Sequence, residues 1–180
     1  MIKRRNILLL SALSVAGGAG WLHARNEDNS GKEMNDSSIH FLSELDANPE
    51  IIQPIELNRE QWATALSREA FYVLREEGTE RPFTSPLNEE KRDGEFACAG
   101  CGLVLFSSQF KFDSGTGWPS FYDAIEDRIE TKTDFKLIVP RTEYHCARCG
   151  GHQGHVFKDG PKPTGLRYCN NGIALTFIPA

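Results

Sequence analysis

Cys98-Ala99-Gly100-Cys101-Gly102 returns in the same form as Cys146-Ala147-Arg148-Cys149-Gly150. In such a C-x-x-C-G knuckle the two cysteines can turn their sulfurs toward one ion. The glycine that follows permits a tight turn aiming backbone N–H groups at the thiolates. Two knuckles supply four thiolates, the complement of a closed, tetrahedral, structural zinc site with no position left open for chemistry. Two other readings compete. One is a pair of C-x-x-C disulfides, which suits an exported protein. The other is a redox dithiol, although neither pair opens an obvious helix that would depress a thiol pKa. The expectation carried forward is one structural zinc ion on Cys98, Cys101, Cys146 and Cys149.

The chain around the knuckles reads as β. After Pro82 helical periodicity disappears and short alternating runs take over: "DFKLIV" with Phe135, Leu137 and Val139, and "GIALTFI" with Ile173, Leu175 and Phe177. Before it, "ELNREQWATALSREAFYVLREEGTERP" predicts two short helices. Asn58 with Gln61 forms a capping box for the first, Ser67 caps the second, and Gly78 and Pro82 stop it. Trp62 and Leu66 share a face on the first helix, Phe71 and Leu74 on the second. The fold class is mainly β, antiparallel, with short N-terminal helices as a prelude.

The 180 residues, 39% hydrophobic and 25% charged, are the make-up of one globular domain of ordinary size. The net charge is -5, and the strongly basic cluster, Lys3-Arg4-Arg5, lies at the extreme N-terminus. Without that end the chain is more acidic still, which excludes a function built on nucleic-acid phosphates. Residues 1–24 have a basic start and an apolar run from Ile7 to about Leu22, the layout of an export signal. The adjacent arginines resemble a twin-arginine signal, and Gly17, Gly18 and Gly20 dilute the run; a retained membrane anchor is the alternative. Residues 25–50, rich in Asn, Asp, Ser and Glu, read as a polar tether, and 51–180 as the folded domain. The expected location is outside the cytoplasm, periplasmic, with membrane contact only through an uncleaved N-terminus.

Cys169, in "GLRYCNNGIALTF" (Gly165–Phe177), is left over once the knuckles have claimed the other four cysteines. It is a buried inert thiol, an intermolecular link or a nucleophile. In an extended strand Arg167, Cys169 and Asn171 share a face. A guanidinium beside sulfur favours the thiolate, and an amide can hydrogen-bond a substrate. Upstream, "GGHQGHVFKDGPKPTG" carries His152 and His155, surplus as zinc ligands and suited to proton donation, and Asp159, suited to fixing a histidine tautomer. In "KFDSGTGWPSF", Gly115 and Gly117 demand an irregular loop on which Trp118 and Phe121 offer an apolar wall for a methyl or thioether group, or else a turn with one core tryptophan. Together these residues have the parts list of thiol-based catalysis.

"GTERPF", "SGTGWPSF", "GGHQGHVFKDGPKPTGLRYCNN" and the two knuckles, in this order, resemble the type B methionine sulfoxide reductases from about Glu56 to Phe177. The resemblance implies a twisted antiparallel β fold, tent- or barrel-like, and reduction of methionine-R-sulfoxide, mainly in oxidised proteins and peptides. It implies Cys169 as the catalytic cysteine, Trp118 against the substrate methyl group, and His152, His155, Asp159, Arg167 and Asn171 as the polar set. The knuckle cysteines match the zinc ligands of many members. Many relatives carry a resolving cysteine where this chain has Thr116, so the Cys169 sulfenic acid is expected to be reduced directly by an external thiol or a thioredoxin-like protein. A smaller departure is Gly172, where relatives often have serine. The rival reading is a non-catalytic zinc-stabilised β module that binds a protein or small ligand; it gives no reason to assemble Arg167, Cys169 and Asn171 with two histidines.

Overall fold

A computed structural model describes residues 41–136 and 139–180. Among the described residues, the short helices α1 (Arg59–Ala65) and α2 (Arg68–Glu76) precede nine strands. These are β1 (Gly94–Cys98), β2 (Val104–Ser107), β3 (Lys111–Phe112), β4 (Ser120–Phe121), β5 (Ile129–Asp134), β6 (Arg141–Cys146), β7 (His152–Phe157), β8 (Arg167–Asn170) and β9 (Leu175–Pro179). Every pairing is antiparallel, in a three-stranded sheet ordered β2-β1-β9 and a six-stranded sheet ordered β3-β4-β8-β7-β6-β5.

The helices begin where their caps dictate. The Asn58 side chain accepts from the Gln61 N–H while its own N–H donates to Gln61 Oε1, each at 2.9 Å, and Ser67 Oγ accepts from Ala70 N–H at 3.1 Å. These bonds satisfy backbone donors that a helix start leaves orphaned. The stop differs slightly from expectation: Glu77, at φ 52°, takes the left-handed position, and Gly78 N–H bonds back to Tyr72 O. Trp62, Val73 and Leu74 are buried, and the Arg75 guanidinium lies 4.1 Å over the Trp62 ring.

Aromatic side chains from both sheets form the centre of the core. Phe106 of β2 stacks on Phe121 of β4 with centroids 4.2 Å apart, and Phe96 of β1 meets Phe121 edge-on at 5.0 Å. Such pairs add about 0.5–1.5 kcal/mol each beyond the burial of their area. Phe121 is therefore a fully buried core residue and not part of a substrate wall, because its β4 position faces the other sheet.

Two strand expectations shift. The described part of "DFKLIV" departs from the strand expectation: β5 ends at Asp134, and Phe135 and Val139 are exposed between it and β6, while Leu137 and Ile138 lie outside the described residues. Pairing with β6 begins at Asp134–Arg141, so the hydrogen-bond ladder, and not apolar alternation, sets the strand boundary. In "GIALTFI" the first three residues form a 3-10 turn (Gly172–Ala174), and β9 starts at Leu175. The last part of the segment read as tether is docked. Arg148 donates to Asp46 O at 2.6 Å, Val104 N–H to Ala47 O at 2.9 Å and Arg128 to Pro49 O at 3.1 Å, and Leu42 and Leu45 pack on the core. The proposed export segment, residues 1–24, lies outside the described residues.

Candidate active site and metal centre

β1 and β6 end at Cys98 and Cys146, and each strand turns through its knuckle with a glycine in the left-handed region, Gly102 at φ 74° and Gly150 at φ 65°. The turns bring four buried sulfurs within 4.8 Å of one another. Cys98 and Cys149 lie 3.7 Å apart and Cys101 and Cys146 3.5 Å, both pairs spanning the two knuckles. None of these cysteines is in a disulfide. A tetrahedron with Zn–S bonds of ~2.3 Å places its sulfurs about 3.8 Å apart, so the cluster has the dimensions of a four-cysteine metal site. Arg75 Nη2 and Gln153 Nε2 donate to Cys149 Sγ and Cys98 Sγ, each at 3.3 Å, which orients the sulfurs and offsets thiolate charge. Four cysteines are thus placed to hold one metal ion.

The second constellation is built on β8. Its register sets Cys169 opposite Ser120 of β4 on one side and opposite His155 of β7 on the other. Gly154 allows this approach, because a Cβ there would meet the Cys169 carbonyl oxygen at 1.9 Å. Cys169, His155, Trp118 and Asn171 line one pocket of about 110 Å³. Trp118 is held by its indole N–H, which donates to Glu80 O at 3.2 Å.

Asp159 does not touch a histidine. It receives Arg167 Nε at 2.9 Å and Nη2 at 2.8 Å, a bidentate pair that fixes the guanidinium within reach of the Cys169 sulfur. The histidines take their carboxylates from other strands. His155 Nε2 lies 2.8 Å from Asp134 Oδ2, and His152 Nδ1 lies 2.6 Å from Glu143 Oε1. His155 lines the pocket, whereas His152 is 2% exposed behind it with Nε2 unbonded, its ring edge-on to that of His155 at 5.5 Å. Asn171 is committed to backbone: Nδ2 donates to Gln153 O at 2.9 Å, and Oδ1 accepts from Glu80 N–H at 3.0 Å. Asn171 thus joins the loop after α2 to the site.

Sequence reading missed Asp134, Glu143 and Glu80. Glu80 accepts from the N–H groups of Gly172 at 2.5 Å and Ile173 at 3.0 Å. Glu143 carried a signal, since it alternates with Arg141 and His145 along β6 in a strand whose other residues include buried Tyr144. Asp134 carried none, because only the sheet brings it to His155.

Burial pushes the Cys169 thiol up from its ordinary range, against the opposing pull of Arg167 and of a hydrogen bond from Thr116. Burial likewise pushes His155 down, although Asp134 works the other way. The resting pair at neutral pH is therefore a thiol beside a neutral imidazole, and not the thiolate that the position of Arg167 suggested. Labelling of Cys169 by iodoacetamide is expected to rise about tenfold per pH unit between about pH 6.5 and 8.5. A plateau below pH 8 would contradict a raised thiol pKa.

A half-buried thiol with a fixed guanidinium, a carboxylate-held imidazole and an indole wall, on an antiparallel β domain carrying a four-cysteine centre, defines a thiol-dependent enzyme. The SelR domain family matches residues 66–179. Among similar proteins, the peptide methionine sulfoxide reductase MsrB of Methanosarcina barkeri is 52% identical over 124 residues, 68% of this chain and 87% of that one. MsrB of Thiobacillus denitrificans is 53% identical over 120 residues, 66% of this chain and 91% of that one. MsrB of Pseudomonas putida is 52% identical over 130 residues, 71% of this chain and 97% of that one. The chain belongs to the SelR domain family, that of the MsrB methionine sulfoxide reductases.

Proposed function

We propose that this chain reduces methionine-R-sulfoxide in oxidised proteins and peptides to methionine, with Cys169 as the reacting thiol. The observation that carries the reading is the register pair His155–Cys169, which brings an acid–base group and a nucleophile to one small pocket walled by Trp118. The apolar ring suits the methyl group of the substrate, and the pocket's donors suit the sulfoxide oxygen.

The neutral thiol and imidazole together hold the one proton the reaction needs. As Cys169 Sγ attacks the sulfoxide sulfur, its proton passes through His155 to the oxygen; Nε2 is bound to Asp134, so Nδ1 is the nitrogen left for the transfer. The substrate S–O bond breaks and an S–O bond forms on Cys169. The substrate sulfur gains the two electrons that Cys169 loses, so methionine leaves and Cys169 becomes a sulfenic acid. Arg167, fixed by Asp159, stabilises negative charge on the attacking sulfur. His152 lies behind His155 and acts through it as a positioning residue, with Glu143 held down at about 2 by its hydrogen bonds from His145 and His152 despite burial.

The residue in reach of Cys169 on the SGTG loop is Thr116, and the other four cysteines form a cluster of their own. The sulfenic acid is accordingly reduced by two external thiols, from a small thiol or a thioredoxin-like protein, giving water and their disulfide. Zinc is the ion that best fits four thiolates in a closed site: Cys98, Cys101, Cys146 and Cys149 would hold it, and it supplies structural cross-linking. Residues 1–24 support export, by the twin-arginine route and to the periplasm, with residues 25–40 as tether; a retained anchor is the second possibility at that end.

The test is turnover of the separated R and S epimers of a blocked methionine sulfoxide with dithiothreitol. R-specific reduction is expected, and after one turnover without reductant Cys169 carries one added oxygen. Turnover of neither epimer, or of S alone, sinks the reading. An intramolecular disulfide to Cys169 sinks the direct-reduction step.

A further inference from the structure

The thiol and the indole reach the pocket from separate stretches of chain, Cys169 on β8 and Trp118 in the loop before β4. Their backbones are fixed side by side: Ser120 pairs with Cys169, and Asn170 N–H donates to Pro119 O at 2.9 Å. Neither contact sets the rotation of the indole about its side-chain bonds. The indole N–H is held instead by the carbonyl of Glu80, 3.2 Å away in the loop after α2.

Glu80, partly buried, does not itself line the pocket, yet its remaining polar groups all turn toward the end of β8. Its N–H donates to Asn171 Oδ1 at 3.0 Å. Its carboxylate accepts from Gly172 N–H at 2.5 Å and Ile173 N–H at 3.0 Å, the start of the 3-10 turn that follows the reactive strand. Loop and turn are packed in contact, since a Cβ on Gly172 would meet Ser85 Oγ at 1.9 Å and Glu80 Oε1 at 3.3 Å. Hydrogen bonds to a carboxylate are roughly twice as strong as neutral ones, so this pair is the main anchor of the loop. The carbonyl that grips the indole belongs to the same residue, and its place is fixed by that anchor.

We propose that Glu80 is a positioning residue that sets the alkyl limit of the pocket: by tying its loop to the turn after Cys169, it holds the Trp118 indole as a fixed wall against groups larger than methyl. The inference rests on the reductase reading above and extends it from the reacting groups to size selection. A rigid apolar wall discriminates one methylene by roughly 10- to 200-fold, and a wall free to shift gives that discrimination up.

The experiment measures kcat/KM on the full, metal-loaded chain with dithiothreitol for blocked methionine-R-sulfoxide and blocked ethionine-R-sulfoxide. The quantity read is the ratio of the two, which does not depend on how much enzyme is folded, so a loss of stability alone leaves it unchanged. The parent should favour methyl by about tenfold or more, and Glu80→Ala should bring the ratio to within about threefold of one. Glu80→Gln keeps the volume and one acceptor, gives an intermediate ratio, and carries the test if Glu80→Ala does not fold. The second readout is the indole N–H signal of Trp118 in proton–nitrogen spectra, identified by its loss in Trp118→Phe. Its exchange with solvent should be about tenfold faster in Glu80→Ala. A fallen ratio together with faster indole exchange supports the proposal. A parent ratio near one, or a ratio that the substitutions leave unchanged, overturns it. So does a ratio that falls while the indole signal stays that of the parent, which places size selection elsewhere. A parent that turns over neither sulfoxide fails the reductase reading and takes the alkyl limit with it, whereas the indole signal still decides whether Glu80 holds the wall.

Discussion

Cys169→Ser reduces methionine-R-sulfoxide turnover by roughly 10³-fold or more while the fold and metal content stay those of the parent protein. The size follows from what is removed: serine keeps the shape but is far less nucleophilic than sulfur, and the other four cysteines are buried together in their own cluster and do not line the pocket. The fold should survive, because Cys169 is only partly buried and its strand is held on both sides by β4 and β7. Reduction of the R epimer is measured beside metal content and the thermal transition. Retained turnover in the variant, with unchanged metal, would remove Cys169 from the reaction.

Loss of an ion held, as proposed, by the four cysteines is expected to have the larger effect on the fold. Structural zinc contributes about 10–16 kcal/mol of apparent binding energy, comparable with or above the ~5–15 kcal/mol by which whole domains are stable. Here the cluster joins the end of β1 to the turn between β6 and β7, one knuckle from each sheet, and Arg75 of α2 donates to both Sγ and O of Cys149. Cys101→Ser, or removal of the ion by a chelator, should therefore lower the melting temperature by on the order of 20 °C or abolish the transition. Zinc added back should restore the chelated parent and not the variant. An unchanged melting curve in metal-free protein would show that the core stands alone, and a Cys98–Cys149 disulfide found by mass spectrometry would replace the metal altogether.

Both effects concern residues legible in the sequence, and the reason is local. A C-x-x-C-G knuckle encodes its own turn, and helix caps such as Asn58 with Gln61 involve neighbours within one turn of chain. The fold class was readable for the same reason, from alternation and turn residues. Where reading failed, the deciding contact came from far along the chain. Phe121 looked like part of the wall beside Trp118, yet the opposite sheet stacks Phe106 on it. "DFKLIV" has strand alternation, yet the ladder stops at Asp134.

The sequence by itself determined the parts: five cysteines sorted into two pairs and one spare, two histidines, an arginine and a tryptophan, in an order that resembles one enzyme family. Tertiary structure alone decided how they work together. It gave Asp159 to Arg167 and supplied the histidines with Asp134 and Glu143 from β5 and β6. It set His155 and not His152 in the pocket, and it buried Cys169 enough to keep its proton. The physical reason is that ionisation and hydrogen-bond partnership depend on burial and on register between strands, which bring together residues with no proximity in sequence.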